Sequence, residues 1–329
     1  PLKMCWIIGN NPLACMADQP QRWYKAMQDL DFIVAQDIFM TPTIMGLCDL
    51  VLPLSTFAEH EGLVTPNYGR NQHFIGAMNE AIVNPNTKSD LEILIDMGRR
   101  MRPELWEGME TPDKFFDAKL KENYGYGLDE VKAVPAKMSG YEYRKYEKGM
   151  LRPDGMPGFS TPSGRIELVP YATFGAWGIP PLAEHVKSLT VKRLQEDPEF
   201  RKEYPFICIN GSRSYEFFHS ENRQQKTMRE FHPWPLVKIS PQTAEEYGIS
   251  EGEWIWIENT EGRCKQMAHI DPVIDPHYIH AEHGWWFPEQ EPAFPHLYGA
   301  FDSNINNLTT SFETGFGGIG NPLKAPACK

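Results

Sequence analysis

The densest group of chemically useful side chains in this sequence lies at residues 206–223. An apolar run at 206–209 predicts a buried strand, which Asn210-Gly211-Ser212 is expected to break. Hydrogen-bond donors and flat rings follow at Arg213, Tyr215, His219, Ser220, Asn222 and Arg223. Backbone N–H groups and guanidinium forks that converge after a strand can hold an anion. An ordinary polar surface loop explains the same residues equally well, so both interpretations stay open at this point.

Glu59-His60-Glu61 is a second candidate for chemistry. Two carboxylates that flank an imidazole could act as a general acid and base, or could bind a metal ion. Because no partner residue is evident in the sequence, we favour a polar loop at the rim of the domain.

Histidines and cysteines give little support for a metal site. His277, His280 and His283 recur every three residues, but Pro276 and the surrounding residues favour a strand. In a strand, positions three apart face opposite sides, so these three imidazoles are not expected to converge. The six cysteines include no C-x-x-C pair, and their spacing indicates neither a zinc site nor an iron–sulfur site.

A β-α-β-α-β pattern in the first fifty residues must position the amino-terminal loops. Strands are predicted at 4–8, 32–35 and 49–53, and helices at 22–30 and 41–48, the second capped by Thr41 before Pro42. This order implies a parallel sheet with right-handed crossovers. The loop at 9–12 follows a strand, which is where open α/β sheets bind ligands.

The sequence of the middle of the chain, residues 89–201, predicts helices and irregular structure. Helices are predicted at 89–102, 111–122 and 189–201, whereas 123–160 has the composition of irregular surface structure. Residues 161–168 predict a turn followed by a strand. From residue 204 onward, short strands alternate with turns, a pattern typical of a β-barrel or sandwich. Strands are predicted at 236–239, 254–258, 263–270 and 278–281, with a short helix between Ser240 and Gly248.

Composition excludes several classes of protein. The hydrophobic fraction of 41% and charged fraction of 23% are those of a globular protein, and the formal net charge of -12 argues against a nucleic-acid partner. No apolar run is long enough to span a membrane, and no signal peptide is evident. The cysteines are expected to be free thiols in a reducing compartment or an anaerobe. Because the chain starts directly with a strand, we expect it to be the downstream part of a longer protein.

Several motifs, taken in order, resemble one known family, the molybdopterin oxidoreductases of the dimethyl sulfoxide reductase type. They are GNNP at 9–12, QD at 36–37, TPT at 41–43, DLVLP at 49–53, E-x-x-G at 59–62, N-x-GR-x-Q at 67–72, TPSGRIEL at 161–168, NGSRSYEFFHSENR at 210–223, the run at 241–263, HGWWFPE at 283–289 and SNINNLT at 303–309. The segments at 36–43, 250–256 and 288–291 and the GG-x-x-x-x-x-K pattern at 317–324 are most similar to the acetylene hydratases. Residues 59–70 look more like the redox members, with Tyr68 in place of the usual acidic residue.

The resemblance implies an α/β plus β fold. Residues 1–105 would be the carboxyl-terminal part of a Rossmann-like parallel α/β domain, and 106–203 an irregular and helical connection. Residues 204–329 would form a double-psi β-barrel that binds molybdopterin dinucleotide.

The resemblance also implies a cofactor, bis-molybdopterin guanine dinucleotide with molybdenum or tungsten. Residues at the carboxyl ends of the first two strands would face one guanine dinucleotide; these are Asn10, Asn11, Gln36 and Asp37. The loop from Gly211 to Ser220 would wrap a pyrophosphate and pterin. Its donors would be Arg213 and His219. The residues expected to close over the pterin are Gly284, Trp285, Asn304, Asn306 and Lys324.

The family's iron–sulfur cysteines and its protein ligand to the metal have no counterpart in this sequence, so both are expected in a missing amino-terminal part. The expected partners are that remainder of the enzyme and an iron–sulfur electron-transfer subunit, in a soluble protein of the prokaryotic cytoplasm or periplasm. The expected reaction is oxygen-atom or two-electron transfer on a small molecule. Two alternatives are hydration, as in the acetylene hydratases, and a non-catalytic cofactor-binding module.

Overall fold

A computed structural model describes residues 2–16, 19–65, 74–138, 142–169, 171–178, 189–212, 214–310 and 325–329. The chain forms two compact units. The first contains residues 1–35, 39–50 and 169–329, and the second contains residues 36–38 and 51–168. The domain boundaries predicted near residues 105 and 203 stay predictions.

The amino-terminal segment forms the predicted βαβαβ arrangement. Its elements are β1 Met4–Ile8, α1 Pro12–Cys15, α2 Pro20–Met27, β2 Phe32–Asp37, α3 Pro42–Leu47 and β3 Leu50–Pro53. The three strands form a sheet in the order β1-β2-β3, and the helical connections between neighbours are those of a parallel sheet. The Thr41 side chain accepts a hydrogen bond from the N–H of Ile44, which confirms the predicted cap of α3.

The second unit contains three helices and a small antiparallel sheet. Its elements are β4 Gly62–Val64, β5 Phe74–Met78, α4 Asp90–Met101, the 3-10 turn Pro103–Leu105, α5 Pro112–Tyr124, α6 Leu128–Lys132 and β6 Lys137–Met138. The sheet order is β4-β5-β6, and the core contains Ile75, Leu120, Leu128 and Val131. Ser89 and Glu92 form a capping box at the start of α4.

Two expectations for this unit were wrong. Helix α6 and strand β6 lie within 123–160, which was expected to be irregular throughout. The strand expected after the turn at 161–168 is absent from this described segment. There the backbone closes on itself instead, because Phe159 N–H donates to Gly164 O and Gly164 N–H donates to Thr161 O.

The carboxyl-terminal part is built around a six-stranded sheet. Its elements are α7 Tyr171–Ala176, α8 Leu189–Glu196, α9 Pro198–Glu203, β7 Phe206–Ser212, α10 Lys226–Phe231, β8 Leu236–Ile239, α11 Pro241–Tyr247, β9 Trp254–Glu258, β10 Arg263–Ile270, β11 Tyr278–Glu282, α12 Ala300–Ser303, the 3-10 helix Ile305–Leu308 and β12 Ala327–Cys328. The helix predicted at 189–201 is broken between α8 and α9, where Asp197 caps α9 and Pro198 begins it.

The six strands form a nearly closed, barrel-like sheet in the order β12-β7-β11-β8-β10-β9. Strands β7 and β11 are parallel, as are β8 and β10, while β9 and β10 form the predicted hairpin. Lys329 and Glu258 exchange two main-chain hydrogen bonds of 2.9 and 3.0 Å, so the end of the chain meets β9. Buried side chains that include Cys208, Val237, Ile257 and Cys264 fill the interior.

Strand β7 continues through the residues that were expected to break it. The register with β11 shifts after Asn210, which pairs with Ala281, and pairing resumes between Ser212 and Glu282. Gly211 is therefore the additional residue of a β-bulge, which bends a strand without ending it. The expected break at 210–212 was wrong for this reason.

Membrane-spanning helices and clusters of metal-binding side chains both bear on function. Among the described residues, no helix is both long and apolar enough to cross a membrane. In the same part of the chain, no three His, Cys, Asp or Glu side chains are grouped so that they could hold a metal ion.

Candidate functional site

Within the first unit, the turn after β1 is joined to the loop after β7 by side-chain hydrogen bonds. Asn11 is only 6% exposed and donates from Nδ2 to Ser220 Oγ at 3.3 Å. Its Oδ1 accepts from Thr43 Oγ1 at 2.8 Å, and that hydroxyl accepts from the N–H of Leu13 at 3.0 Å. Asn11 and Ser220, both predicted site residues, are therefore brought together.

Cys15, the last residue of α1, lies against the same serine. Its Sγ is 3.0 Å from Ser220 Oγ. Burial raises the pKa of the Cys15 thiol, although hydrogen bonds to Ser220 and the positive charge of Arg223 act in the opposite direction. Because only the thiolate is a strong nucleophile, Cys15 is a protonated hydrogen-bonding neighbour of Ser220 at neutral pH.

Asn304 and Asn306 hold the loop that follows β11. Asn304 is fully buried, and its Oδ1 accepts hydrogen bonds from the N–H groups of Gly284 at 3.2 Å and Asn306 at 3.1 Å. The Nδ2 groups of both asparagines donate to the carbonyl oxygen of Ala14, at 2.8 and 3.1 Å. These amides therefore shape the loop that contains Gly284, and their predicted contact with the pterin stays a prediction.

The backbones of two predicted site segments approach closely at Gly284. Gly284 has a φ of +67°, and a Cβ at this position would lie 3.0 Å from the carbonyl carbon and oxygen of His219 and 3.2 Å from Ser220 N. Only glycine combines this left-handed conformation with such a close approach. The indole Nε1 of Trp286 donates to Ser220 O at 2.9 Å and ties the segments together a second time.

His219 and His283 form a pair of imidazoles at the same place. Nδ1 of His219 and Nε2 of His283 are 3.0 Å apart, and the rings meet edge to face with centroids 5.2 Å apart. This hydrogen bond requires a proton on one of the two nitrogens and a lone pair on the other. His219 also has a φ of +51°, which is uncommon for a residue with a side chain.

A buried arginine beside this loop packs against two aromatic rings. Arg223 is 2% exposed, and its guanidinium carbon is 4.1 Å from the ring centroid of Phe217 and 4.3 Å from that of Trp285. Its two terminal nitrogens donate to the carbonyl oxygens of His219 at 3.0 Å and Glu221 at 3.2 Å. The hydrogen bonds of Arg223 therefore go to the main chain of the loop.

An acidic side chain completes this buried region. Glu282 is 7% exposed, and its carboxylate accepts hydrogen bonds from His232 Nε2 at 3.0 Å and Leu236 N at 3.2 Å. The His232 ring is packed against Phe217 and Trp285. Glu282 thus stabilises the aromatic wall that encloses Arg223.

The other predicted site residues are placed as follows. Asn10 is exposed beside Asn11, and Gly211 forms the bulge of β7. In the second unit, the buried Gln36 amide donates to Asp90 and the main-chain oxygen of Asp37 accepts from Leu54 N. Arg213, Lys324 and the motif residues 67–72 lie outside the described residues.

Sequence reasoning did not assign several residues that the structure places in the site. These residues are Thr43, Cys15, Glu282 and His283. Arg223 was named among the donors of the possible anion loop, but not as a residue that binds the cofactor. Thr43 and His283 belong to motifs that carried the resemblance, and that was the available signal. The positions of Cys15 and Glu282 depend on contacts across more than two hundred and about fifty residues respectively.

The group Glu59-His60-Glu61 is used in local structure. The Glu59 carboxylate accepts from Thr56 N, a bond that lowers the pKa of Glu59, and from Asn84 Nδ2. His60 Nδ1 is 2.9 Å from Ser55 Oγ, and Glu61 pairs with Lys132 at 2.7 Å. These contacts agree with the polar rim loop favoured above.

Buried donors show whether the site suits a pterin dinucleotide. Within the described residues, Trp285 Nε1 and Arg223 Nε are buried and have no hydrogen-bond partner. Leaving such donors unpaired is costly, so they favour a ligand that is rich in acceptors. The residues present therefore fit a flat, anionic cofactor.

A separate cavity of about 480 Å³ lies elsewhere in the first unit. Arg193, Phe200, Asn259 and Glu261 contribute to its lining, which carries both signs of charge. None of the described residues predicted to bind the cofactor lines it, so it is distinct from the site described above.

Two family models match this sequence. Residues 1–100 match the model described as molybdopterin oxidoreductase, and residues 206–321 match the model described as molydopterin dinucleotide binding domain. Together the two matches cover about two thirds of the chain.

Characterised relatives cover nearly all of the chain. Acetylene hydratase of Syntrophotalea acetylenica is 32% identical over 299 residues, which are 88% of this chain and 38% of that protein. Dopamine dehydroxylase of Eggerthella lenta is 26% identical over 385 aligned positions, which cover 94% of this chain and 36% of that protein. The solved structure of acetylene hydratase from Pelobacter acetylenicus matches with a TM-score of 0.84 and 26% identity, over 100% of this chain and 44% of that one. This chain thus spans less than half the length of each.

Proposed function

This chain belongs to the molybdopterin oxidoreductase family, as its motifs predicted, and we propose that it is the cofactor-holding carboxyl-terminal portion of a molybdenum or tungsten enzyme. The enzyme acts on a small molecule by oxygen-atom or two-electron transfer. The observation that carries the proposal is the buried network around Ser220. That network joins the turn at Asn11, the loop at His219 and the loop at Gly284, three segments for which the resemblance implies a role in cofactor binding.

The proposed cofactor is bis-molybdopterin guanine dinucleotide. When bound, it supplies a metal centre at which an oxygen atom or an electron pair is exchanged. Described residues proposed to hold one dinucleotide are Asn10, Asn11, Gln36 and Asp37. Those proposed to hold a pyrophosphate and a pterin are Gly211, His219, Ser220, Gly284 and Trp285. The iron–sulfur cluster and the metal ligand are proposed to lie in the part of the enzyme that this chain lacks.

The residues of this chain are proposed to bind and orient the cofactor and to exclude water from it. Trp285, Trp286 and Phe287 are at most 1% exposed and form an apolar wall beside the loop at Ser220. Such a wall lowers the local dielectric and strengthens every hydrogen bond made by the buried donors. The protonated Cys15 thiol adds no negative charge next to a ligand that is itself anionic.

We further propose that the barrel-like sheet has the double-psi topology. The two parallel pairs, β7 with β11 and β8 with β10, are joined by the antiparallel contact of β11 with β8. This arrangement of two similar halves around a central contact supports the proposal.

Two other functions have some support. Hydration without net redox change is supported by the 32% identity to an acetylene hydratase. A non-catalytic module that holds the cofactor for a separate catalytic chain would use the same binding residues. For the leading proposal, the partners are the remainder of the enzyme and an iron–sulfur electron-transfer subunit.

Metal and nucleotide analysis of the holoenzyme tests the proposal. The full-length protein that carries this chain should be purified without oxygen and examined for molybdenum, tungsten and released guanine nucleotide. One metal and two guanine nucleotides per protein are expected. Folded protein from a cofactor-producing host that contains neither would contradict the proposal.

Activity assays separate the alternatives. A redox enzyme should oxidise reduced viologen dye in the presence of its substrate, whereas a hydratase should convert acetylene to acetaldehyde with no electron acceptor. A metal-loaded protein inactive in both assays, and active only after addition of a second chain, would favour the non-catalytic module.

A further inference from the structure

Arg223 is a buried cation that is not neutralised by direct contact. It is 2% exposed, and no carboxylate oxygen of the described residues lies within 4.0 Å of its nitrogens. Its hydrogen-bond partners are two main-chain carbonyl oxygens, those of His219 and Glu221, and its Nε has none. A buried charge normally requires an ionic partner, because removing it from water is strongly unfavourable.

The guanidinium also holds the loop in an uncommon shape. Both His219 and Asn222 have left-handed backbone conformations, with φ of +51° and +63°. The two carbonyl oxygens that accept from Arg223 belong to His219, at the start of this turn, and to Glu221, within it. The guanidinium also lies against the rings of Phe217 and Trp285. The rigid fork of an arginine fits this geometry, whereas the single ammonium of a lysine cannot reach both carbonyls in the same way.

The positive charge of Arg223 affects Cys15, the thiol next to Ser220. It opposes the burial-driven rise in the pKa of Cys15, whose Sγ lies 3.0 Å from Ser220 Oγ. Glu221 acts in the opposite direction on the same thiol. Around Arg223 itself, Glu282 favours its charged form, while burial and Arg229 disfavour it and bring its pKa to about 9. Arg223 is thus charged at neutral pH.

We propose that Arg223 is a positioning residue for the pyrophosphate of the pterin dinucleotide. It keeps the turn at His219–Asn222 in its binding shape and supplies a positive field behind Ser220, without touching the ligand. This inference rests on the function proposed above. The ligand then adds negative charge near a guanidinium that contacts no carboxylate among the described residues.

The test compares Arg223→Met with Arg223→Lys in the full-length apoprotein, using inorganic pyrophosphate as the probe and tryptophan fluorescence as the signal. Arg223→Met should weaken pyrophosphate binding about 10- to 100-fold, the worth of one charge-assisted interaction, and should reduce its salt dependence. Arg223→Lys keeps the charge and should keep the salt dependence while weakening binding less.

Arg229→Met is the matched control. Arg229 lies near the rings of Trp285 and Phe287, but it is paired with Glu289 through two hydrogen bonds of 2.7 and 3.1 Å. Since Glu289 already neutralises it, its loss should leave pyrophosphate binding within about twofold. If Arg223→Met binds pyrophosphate as tightly as the wild type, or no worse than Arg229→Met, the proposal is overturned.

Alkylation of Cys15 supplies a readout that a purely structural role would not change. In Arg223→Met the pKa of this thiol should rise further, because the positive charge that opposes the effect of burial is gone, so its alkylation at pH 8 should be slower than in the wild type. If this variant does not fold, the proposal is tested on the wild-type protein, in which bound pyrophosphate should protect Cys15 from alkylation. No protection would overturn the proposal. Metal and guanine nucleotide content of wild-type holoenzyme tests the proposed function separately, so the two failures are distinguishable.

Discussion

The side-chain amide of Asn304 donates a hydrogen bond of 2.8 Å to the main-chain oxygen of Ala14, which lies 290 positions earlier in the chain. The same side chain accepts from the N–H of Gly284 and of Asn306. One buried amide therefore connects the short helix α1 with the loop that follows β11. The turn before α1, with Asn10 and Asn11, and the loop after β11, with Gly284 and Trp285, were both expected to bind the cofactor.

Replacing Asn304 with alanine should destabilise the protein more than replacing Asn306 with alanine. Asn304→Ala leaves two buried N–H groups without their acceptor and should lower the free energy of unfolding by about 2–4 kcal/mol. Asn306→Ala removes one of the two donors to Ala14 O and should cost about 1 kcal/mol. Urea unfolding of the full-length apoprotein, followed by tryptophan fluorescence, measures both. Equal losses in the two variants would contradict the role given to Asn304.

Gly284→Ala should destabilise the protein by more than the cost of placing an alanine in a left-handed backbone conformation. Gly284→Ala introduces a Cβ about 3.0 Å from the main chain of His219, whereas Gly248→Ala has a φ of +67° as well but no atom within 4 Å. The control should cost about 1–2 kcal/mol, as expected for a left-handed residue. Gly284→Ala should cost more, and thermal unfolding of both variants gives the comparison. A Gly284→Ala protein as stable as the control would show that the contact can relax freely.

The two adjacent tryptophans should respond differently to loss of the indole N–H. Trp286 Nε1 donates to Ser220 O at 2.9 Å, whereas Trp285 Nε1 has no partner within the described residues. In the apoprotein, Trp286→Phe should therefore lose about 1 kcal/mol more than Trp285→Phe, the net worth of one hydrogen bond.

The order should reverse for cofactor retention. Trp285→Phe removes a donor that is proposed to contact the pterin. The purified Trp285→Phe holoenzyme should therefore contain less guanine nucleotide than the purified Trp286→Phe holoenzyme. Unchanged nucleotide content in Trp285→Phe would count against a contact between this indole and the cofactor.

Cys48 should react slowly with thiol reagents. Burial, helped by the nearby Asp49 and Cys5, raises the pKa of its thiol from 9.0 to about 11. Because the thiolate is the reactive form, its alkylation at pH 8 should be about 100-fold slower than that of a thiol with an ordinary pKa. The rate, measured by mass spectrometry of the labelled peptide, should keep rising as the pH approaches 11. A plateau near pH 9 would contradict the shift.

The raised pKa of Cys48 also fixes the sign of its effect on stability. Folding favours the protonated thiol, so its contribution to stability is fully present below pH 9. It is lost as the pH rises through about 11, the value in the folded protein. Replacing Cys48 with alanine should therefore weaken the pH dependence of unfolding in this alkaline range.

Most regular elements could be predicted from local sequence. Strands β1, β8, β9 and β10 have the predicted bounds, since each is an apolar or alternating run between clear turn residues. The wrong expectation at β7 has a local cause as well, because Asn-Gly-Ser commonly ends a strand. Pairing with β11 absorbs Gly211 as a bulge, and that pairing is a long-range contact.

The site was predictable only as a set of segments. Motif order alone indicated that the regions around Asn11, Ser220 and Gly284 serve one ligand. It did not indicate that Asn304 and Asn306 direct their amides to Ala14, or that Arg223 lies behind the loop with its charge unpaired.

By itself, the sequence determined the family, the succession of a parallel α/β segment and a β-rich segment, and the loops expected to bind a molybdopterin dinucleotide. These properties are recorded locally, in periodicity, turn residues and motif order. Tertiary structure alone decided which polar atoms are used inside the protein and which stay available. Hydrogen bonds such as the one between Asn304 and Ala14 join residues far apart in the chain, and a linear pattern carries no information about which buried donor meets which acceptor.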